Sequence, residues 1–99
     1  MKDIRSPYIE LAFAICIRAV EDYRAARCFL DRTPPEEDDK EWKKSRRTQM
    51  TKALRDTVSF FRSELFYQYS GLNGEQVLKQ LEDECDNGYY GDSRNRWQR

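Results

Sequence analysis

Phe60-Phe61-Arg62-Ser63-Glu64-Leu65-Phe66-Tyr67-Gln68-Tyr69-Ser70-Gly71-Leu72-Asn73-Gly74-Glu75-Gln76-Val77-Leu78-Lys79-Gln80-Leu81-Glu82-Asp83-Glu84 is the stretch that decides how this chain folds. Aromatic and aliphatic residues crowd its first half, and Gly71 supplies the clean turn signal of the chain interior. Ser63 suits the N-cap of a short helix over residues 64–70, because a side-chain oxygen there accepts from a first-turn N–H that has no intrahelical partner. Gly71 ends that helix, since the residue after a helix commonly takes a positive φ that glycine tolerates. Asn73 caps the next helix, with Gln76 in capping-box position three residues on. Val77, Leu78 and Leu81 give that helix its apolar side, and Asn87-Gly88 stops it just past Cys85. The stretch reads as helix end, short helix, glycine turn and helix.

Upstream, Ser6-Pro7 marks another helix start, with Ser6 as N-cap and Pro7 in the first helical position. Tyr8, Ala12, Ile15, Ala19, Tyr23, Ala26 and Leu30 recur at steps of three and four, which predicts one long helix from residue 7 to about 31. A second row, Ile9, Phe13, Cys16 and Val20, makes the first half apolar around most of its circumference. That pattern predicts a central helix packed on two sides. Asp31 to Pro35 breaks the helix. Thr33 then caps the next one, with Pro34 in its first turn and Glu36 completing a capping box. Glu36, Glu37, Asp38 and Asp39 are expected at its positive end, where the macrodipole favours anions. Glu36 with Lys40 and Asp39 with Lys43 would form i,i+4 pairs, and Trp42 would be the apolar anchor of this part. Further on, Met50, Leu54, Val58, Phe61 and Leu65 keep the helical period. The expectation is one helix over 34–62, bent near Ser45 to Thr51 or else broken at Thr48.

The fold class is therefore all-α: a small bundle of about four helices, with residues 1–86 as one domain. Residues 87–99 are aperiodic and polar apart from Tyr89, Tyr90 and Trp97, and are expected to form a flexible tail.

Ninety-nine residues support one small core. Eighteen basic and eighteen acidic residues cancel, so nucleic-acid binding has to rest on the distribution of charge. Three cysteines, Cys16, Cys28 and Cys85, with no pairing pattern, point to a reducing, cytoplasmic setting. The absence of histidine and of any close cysteine pair argues against structural zinc. Glu10 and Arg18 interrupt the N-terminal apolar run, which reads neither as a signal peptide nor as a membrane span. No triad, general-base histidine or glycine-rich phosphate loop is present, so the expectation is a non-enzymatic protein without a cofactor.

Ser70-Gly71-Leu72-Asn73 followed by Val77 resembles the turn of repressor-type helix-turn-helix proteins over about sixteen residues. The resemblance implies Phe66, Tyr69, Leu72, Val77 and Leu81 inside, with Glu75, Gln76, Lys79 and Gln80 on the exposed face of the second helix. Two features depart from it. Tyr67 stands where that family places a small residue, and Glu82, Asp83, Glu84 and Asp86 would repel phosphates. An ordinary helical hairpin that closes the core explains the same residues. The candidate nucleic-acid surface is Lys43, Lys44, Arg46, Arg47 and Arg55 together with Gln76, Lys79 and Gln80; a solvated helix face is the plainer explanation of the basic run. The candidate protein-binding surface is Glu82, Asp83, Glu84 and Asp86, four acids at a helix C-terminus where the dipole disfavours them.

Val58 to Leu81, with its Phe-Phe-Arg-Ser, Ser-Gly-Leu-Asn-Gly and Val-Leu-Lys-Gln-Leu segments, is similar to small uncharacterised proteins of phages and prophages of low-GC Gram-positive bacteria. The resemblance implies a helical, cytoplasmic, accessory protein. Two functions follow as expectations: a regulatory protein that binds DNA through the helix-turn-helix-like unit, or an inhibitor that binds a host or anti-phage defence protein, anti-CRISPR-like in kind, through its acidic and aromatic surface. A homodimer is compatible with both.

Overall fold

The computed structural model describes residues 7–91, the side chains from Tyr8 onward. Among these residues it is all-helical, in the order α1 (Pro7–Arg32), α2 (Glu41–Phe61), α3 (Glu64–Ser70) and α4 (Gly74–Asp86). Ser6, expected as the N-cap of α1, lies outside the described residues. α1 and α2 form an antiparallel pair: Phe29 lies beside Trp42 and Gln49 at one end, and Ile15 beside Phe60 at the other. α3 and α4 fold back against that pair.

α1 buries small residues. Ala12, Cys16, Ala19 and Ala26 lie inside together with Tyr23, and their size lets neighbouring elements come close. Phe61 and Phe66 fill the centre, packed edge to face with ring centroids 5.0 Å apart, and Phe60 adds a second edge contact to Phe66 at 5.7 Å. Such pairs add about 0.5–1.5 kcal/mol each beyond the area they bury. Leu78, Leu81 and Cys85 close the core from α4.

The hairpin forms as its residues dictate. Ser63 Oγ accepts from Phe66 N, Gly71 sits in the left-handed region at φ 73°, and Asn73 accepts from the N–H groups of Glu75 and Gln76. Phe66 and Leu81 are buried and Tyr69 and Val77 pack against the core, but Leu72 is exposed. Tyr67 is 61% exposed and points away from the helix–helix contact, so its bulk does not separate α3 from α4. Closeness is needed instead at Gly74, the first residue of α4, where a Cβ would lie 1.7 Å from the Phe61 carbonyl oxygen.

Three expectations are corrected. α2 begins at Glu41, with Lys40 at its N-cap, and runs unbroken through Thr48. The tandem prolines hold residues 33–35 outside the helix, and Arg47 locks the loop there by donating to the carbonyls of Thr33 and Pro34 and to Asp39. Thr33 is thus no cap, and Glu36 and Asp39 are loop residues that cannot pair at helical spacing with Lys40 and Lys43. Trp42 is no anchor either, being 60% exposed. Leu65 likewise lies outside the core.

The expected tail is the second correction. Tyr90 is only 6% exposed and belongs to the core. Its hydroxyl donates to Asp31 at 2.8 Å, and Arg32 stacks on its ring. Gly91 is buried against the Arg24 side chain. Residues 87–91 therefore belong to the folded domain; residues 92–99 lie outside the described residues.

The third correction concerns α1. Its first half is not packed on two sides. Tyr8, Ile9, Leu11, Phe13, Ile15 and Ile17 are all exposed, from 38% at Ile15 to 71% at Tyr8. α2 ends level with Ile15, so residues 7–13 extend beyond it by roughly 10 Å at 1.5 Å per residue.

Candidate interaction surfaces

The candidate basic residues do not share one role. Arg47 is mostly buried, and its guanidinium meets Asp39 at 2.8 Å. The Asp39 carboxyl is held below its usual range, first by the backbone N–H of Glu36 and then by Arg47. Arg47 is therefore a loop-closing residue. Lys43 leans over the Trp42 ring, and Arg46 borders a depression with Phe29 and Trp42. Lys44, Arg47 and Arg55 are nonetheless brought together: with Thr48, Thr51 and Lys52 they rim a shallow cleft of about 450 Å³ on α2.

The next turns of α2 carry that line to α4. Arg62 and Val58 border a second cleft of about 460 Å³ with Gln76, Lys79 and Glu82. Lys44, Lys52, Arg55, Arg62 and Lys79 thus form one ribbon, running roughly 27 Å along α2 at 1.5 Å per residue. Acids accompany it closely. Lys44 pairs with Glu41, Lys52 with Asp56 and Arg62 with Glu75, while Gln80 donates to Glu84. Exposed pairs of this kind contribute about 0–1 kcal/mol each, but they remove most of the net positive potential.

The acidic candidates divide as well. Glu84 accepts from Arg24 at 3.1 Å and Asp86 from Arg27 at 2.7 Å. Arg27 also donates to Asp31 and to the Tyr23 hydroxyl. Burial works against its charge, but the hydrogen bonds to Asp86, Tyr23 and Asp31 more than offset that and raise its pKa. The two carboxylates thus latch the C-terminal end of α4 to α1, which explains acids at an end the dipole disfavours. Glu82 and Asp83 remain on the surface.

Burial raises the thiol pKa values of Cys16 and Cys85, so both stay protonated and unreactive near neutrality. All three cysteines are unpaired. Among the described residues, no three His, Cys, Asp or Glu side chains converge on a metal-sized site, and no helix is long and apolar enough to cross a membrane.

The surface with the most uncompensated chemistry is one that no candidate residue pointed to: the N-terminal half of α1. A cleft of about 440 Å³ borders it, lined by Ala14, Ile15, Arg18, Ala19 and Asp22 with Asp56, Thr57 and Phe60 of α2. The signal was present in the sequence as an apolar circumference, but it looks the same for a helix buried on all sides and for one awaiting a partner.

Comparison with family models, with curated proteins and with solved structures finds no match to this chain.

Proposed function

We propose that the protein is a non-enzymatic accessory factor, of the phage-encoded kind its central stretch resembles, that works by binding another polypeptide through the N-terminal half of α1. The observation that carries this reading is the exposure of Tyr8, Ile9, Leu11, Phe13, Ile15 and Ile17 on about three turns of one helix. Exposed apolar patches of several hundred Å² mark interaction sites in stable monomers. Regulation or inhibition of a host or defence protein fits a small module with such a surface, and three unpaired cysteines suit the cytoplasm.

The test is capture of bacterial proteins by the immobilised full chain, with Ile17→Glu and Leu11→Glu compared against Lys44→Glu and Arg55→Glu. The α1 variants lose the captured protein and the ribbon variants keep it. Capture that ignores both α1 substitutions refutes the reading.

Duplex DNA is the second reading, supported by the ribbon from Lys44 to Lys79. The close acids argue for weaker phosphate contact than five cations alone would make. Titration with duplex DNA at several salt concentrations tests it: phosphate binding falls steeply with salt, and no binding at low salt ends it.

A further inference from the structure

We propose that Trp42 is a stacking platform for a base of single-stranded nucleic acid, with Lys43 and Arg46 holding the adjoining phosphates. The site lies beside Phe29, at the other end of α1 from the exposed apolar patch, and depends on neither reading above. Trp42 is 60% exposed in the first turn of α2, so the core does not require it. Its ring lines a depression of about 450 Å³ with Phe29, Ser45, Arg46 and Gln49. At about 100° per residue, Ser45, Arg46 and Gln49 all stand within about 60° of Trp42 around the helix. Ser45 and Gln49 are exposed and bring a hydroxyl and a carboxamide to the rim, where a base edge would meet them.

The charge beside the ring is positive and available. Among the described residues Arg46 and Lys43 form no salt bridge, and Lys43 sets its ammonium over the Trp42 ring, 5.9 Å from the centroid. Lys43 also acts on Asp39 from a distance. Two acids at this end of α2 are engaged elsewhere, Asp39 with Arg47 and Glu41 with Lys44. Arg47 ties down the loop that carries Glu36, Glu37 and Asp38, and it stands about 140° round the helix from Trp42.

These features select a single strand. A duplex keeps its bases stacked on one another, so a lone exposed ring gains nothing from it. A single strand offers free base faces, and an aromatic ring accepts any of them. An acidic peptide could pair with the two cations but brings no base to cover the ring. The ribbon that supports the duplex reading lies on another side of α2: Lys44 and Arg55 stand about 140–160° round the helix from Trp42.

Tryptophan fluorescence tests this. Trp97→Phe leaves Trp42 as the single tryptophan of the full chain. An oligothymidylate of about eight nucleotides, within the usual site size, is expected to quench it at micromolar to submillimolar concentration. Followed instead by anisotropy of the labelled strand, Trp42→Ala weakens binding roughly tenfold to a hundredfold, as loss of one stacked base does, and Trp42→Phe restores most of it. Arg46→Gln lowers the salt slope by about 0.7, the share of one phosphate of a single strand. Thermal melts of the Trp42 variants stay at the wild-type midpoint because the side chain is exposed. Arg55→Glu and Ile17→Glu leave the quenching as it is. Absence of quenching at about 1 mM strand overturns the proposal, as does an abasic strand of equal length that binds as tightly. Quenching lost in Arg55→Glu would move the site to the ribbon, and a polyglutamate that quenches as strongly would make it an acidic-peptide site; either result overturns the proposal.

Discussion

Gly74→Ala is the sharpest test of how the hairpin sits on the rest of the bundle. Gly74 is the first residue of α4, and its backbone is helical. Helix propensity alone makes alanine the better residue there, by up to about 1 kcal/mol. The packing says otherwise. A Cβ at this position would stand 1.7 Å from the Phe61 carbonyl oxygen, 2.8 Å from its carbon and 3.5 Å from Phe66 Cδ2. The first two are backbone atoms at the end of α2, so no side chain can rotate away. An ordinary carbon–oxygen contact needs about 3.3 Å, so α4 must retreat by roughly 1.5 Å. That retreat parts Leu78, Leu81 and Cys85 from Phe61 and Phe66. Overpacking of this kind costs about 1–3 kcal/mol and more where backbone must shift. After the propensity gain, the expected net loss is about 2 kcal/mol, a fall in melting temperature of about 8–16 °C for a domain this size. Gly71→Ala is the control. Gly71 has open space around it but φ 73°, so alanine costs only about 1–2 kcal/mol of left-handed strain. Thermal melts followed by circular dichroism compare the three proteins. A Gly74→Ala variant that melts at or above the wild type, or above Gly71→Ala, would refute the close approach of α4 to α2.

Three further outcomes follow from the contacts around α1 and α2. Arg27→Ala breaks the tie to Asp86 and leaves the hydroxyl of buried Tyr23 without that partner and should cost about 1–3 kcal/mol, read as a lower urea midpoint; an unchanged midpoint would mean that the α4 latch contributes nothing. Tyr90→Phe removes the hydrogen bond to Asp31 and should cost about 0.5–1.5 kcal/mol. Burial first, and that hydrogen bond second, push the Tyr90 phenol up to about 12. Its contribution is therefore complete below the ordinary value near 10 and disappears as pH rises toward 12, so the wild type should lose its advantage over Tyr90→Phe across that window in alkaline melts. Asp39 behaves in the opposite sense: its pKa is lowered, so its contribution is present above the ordinary carboxylate range and is lost as pH falls below it. Arg47→Ala should reduce that acid-sensitive component, leaving the part due to the Glu36 N–H, and expose residues 33–40 to protease at neutral pH; protection equal to the wild type would overturn the role given to Arg47.

Most of the helices were legible in the sequence because their signals are local. Ser63, Gly71, Asn73 and Asn87-Gly88 act on backbone groups within four residues, and their caps and stops stand where the residue types place them. Phe61, Leu78 and Leu81 were legible as core from the apolar side of their helices, and Phe66 through the helix-turn-helix-like resemblance. The candidate surfaces were much less so. Arg47 resembled its basic neighbours in sequence, and Glu84 and Asp86 looked like free acids. Their partners lie on another element: Arg47 reaches back to the loop before α2, and Glu84 and Asp86 meet arginines about sixty positions earlier.

The sequence by itself determined that the chain is all-α with a capped hairpin turning at Gly71, because capping, glycine φ and helical period are properties of short segments. Only the tertiary structure decided which apolar residues are core. Tyr90, in a stretch with no period, is buried because Asp31 and Arg32 receive it. Leu11, in a strongly apolar helix, remains outside because it lies beyond the end of α2, and Ile17 because the small residues Ala12, Cys16 and Ala19 take the inner face. Burial depends on where other elements end, and no local pattern carries that information.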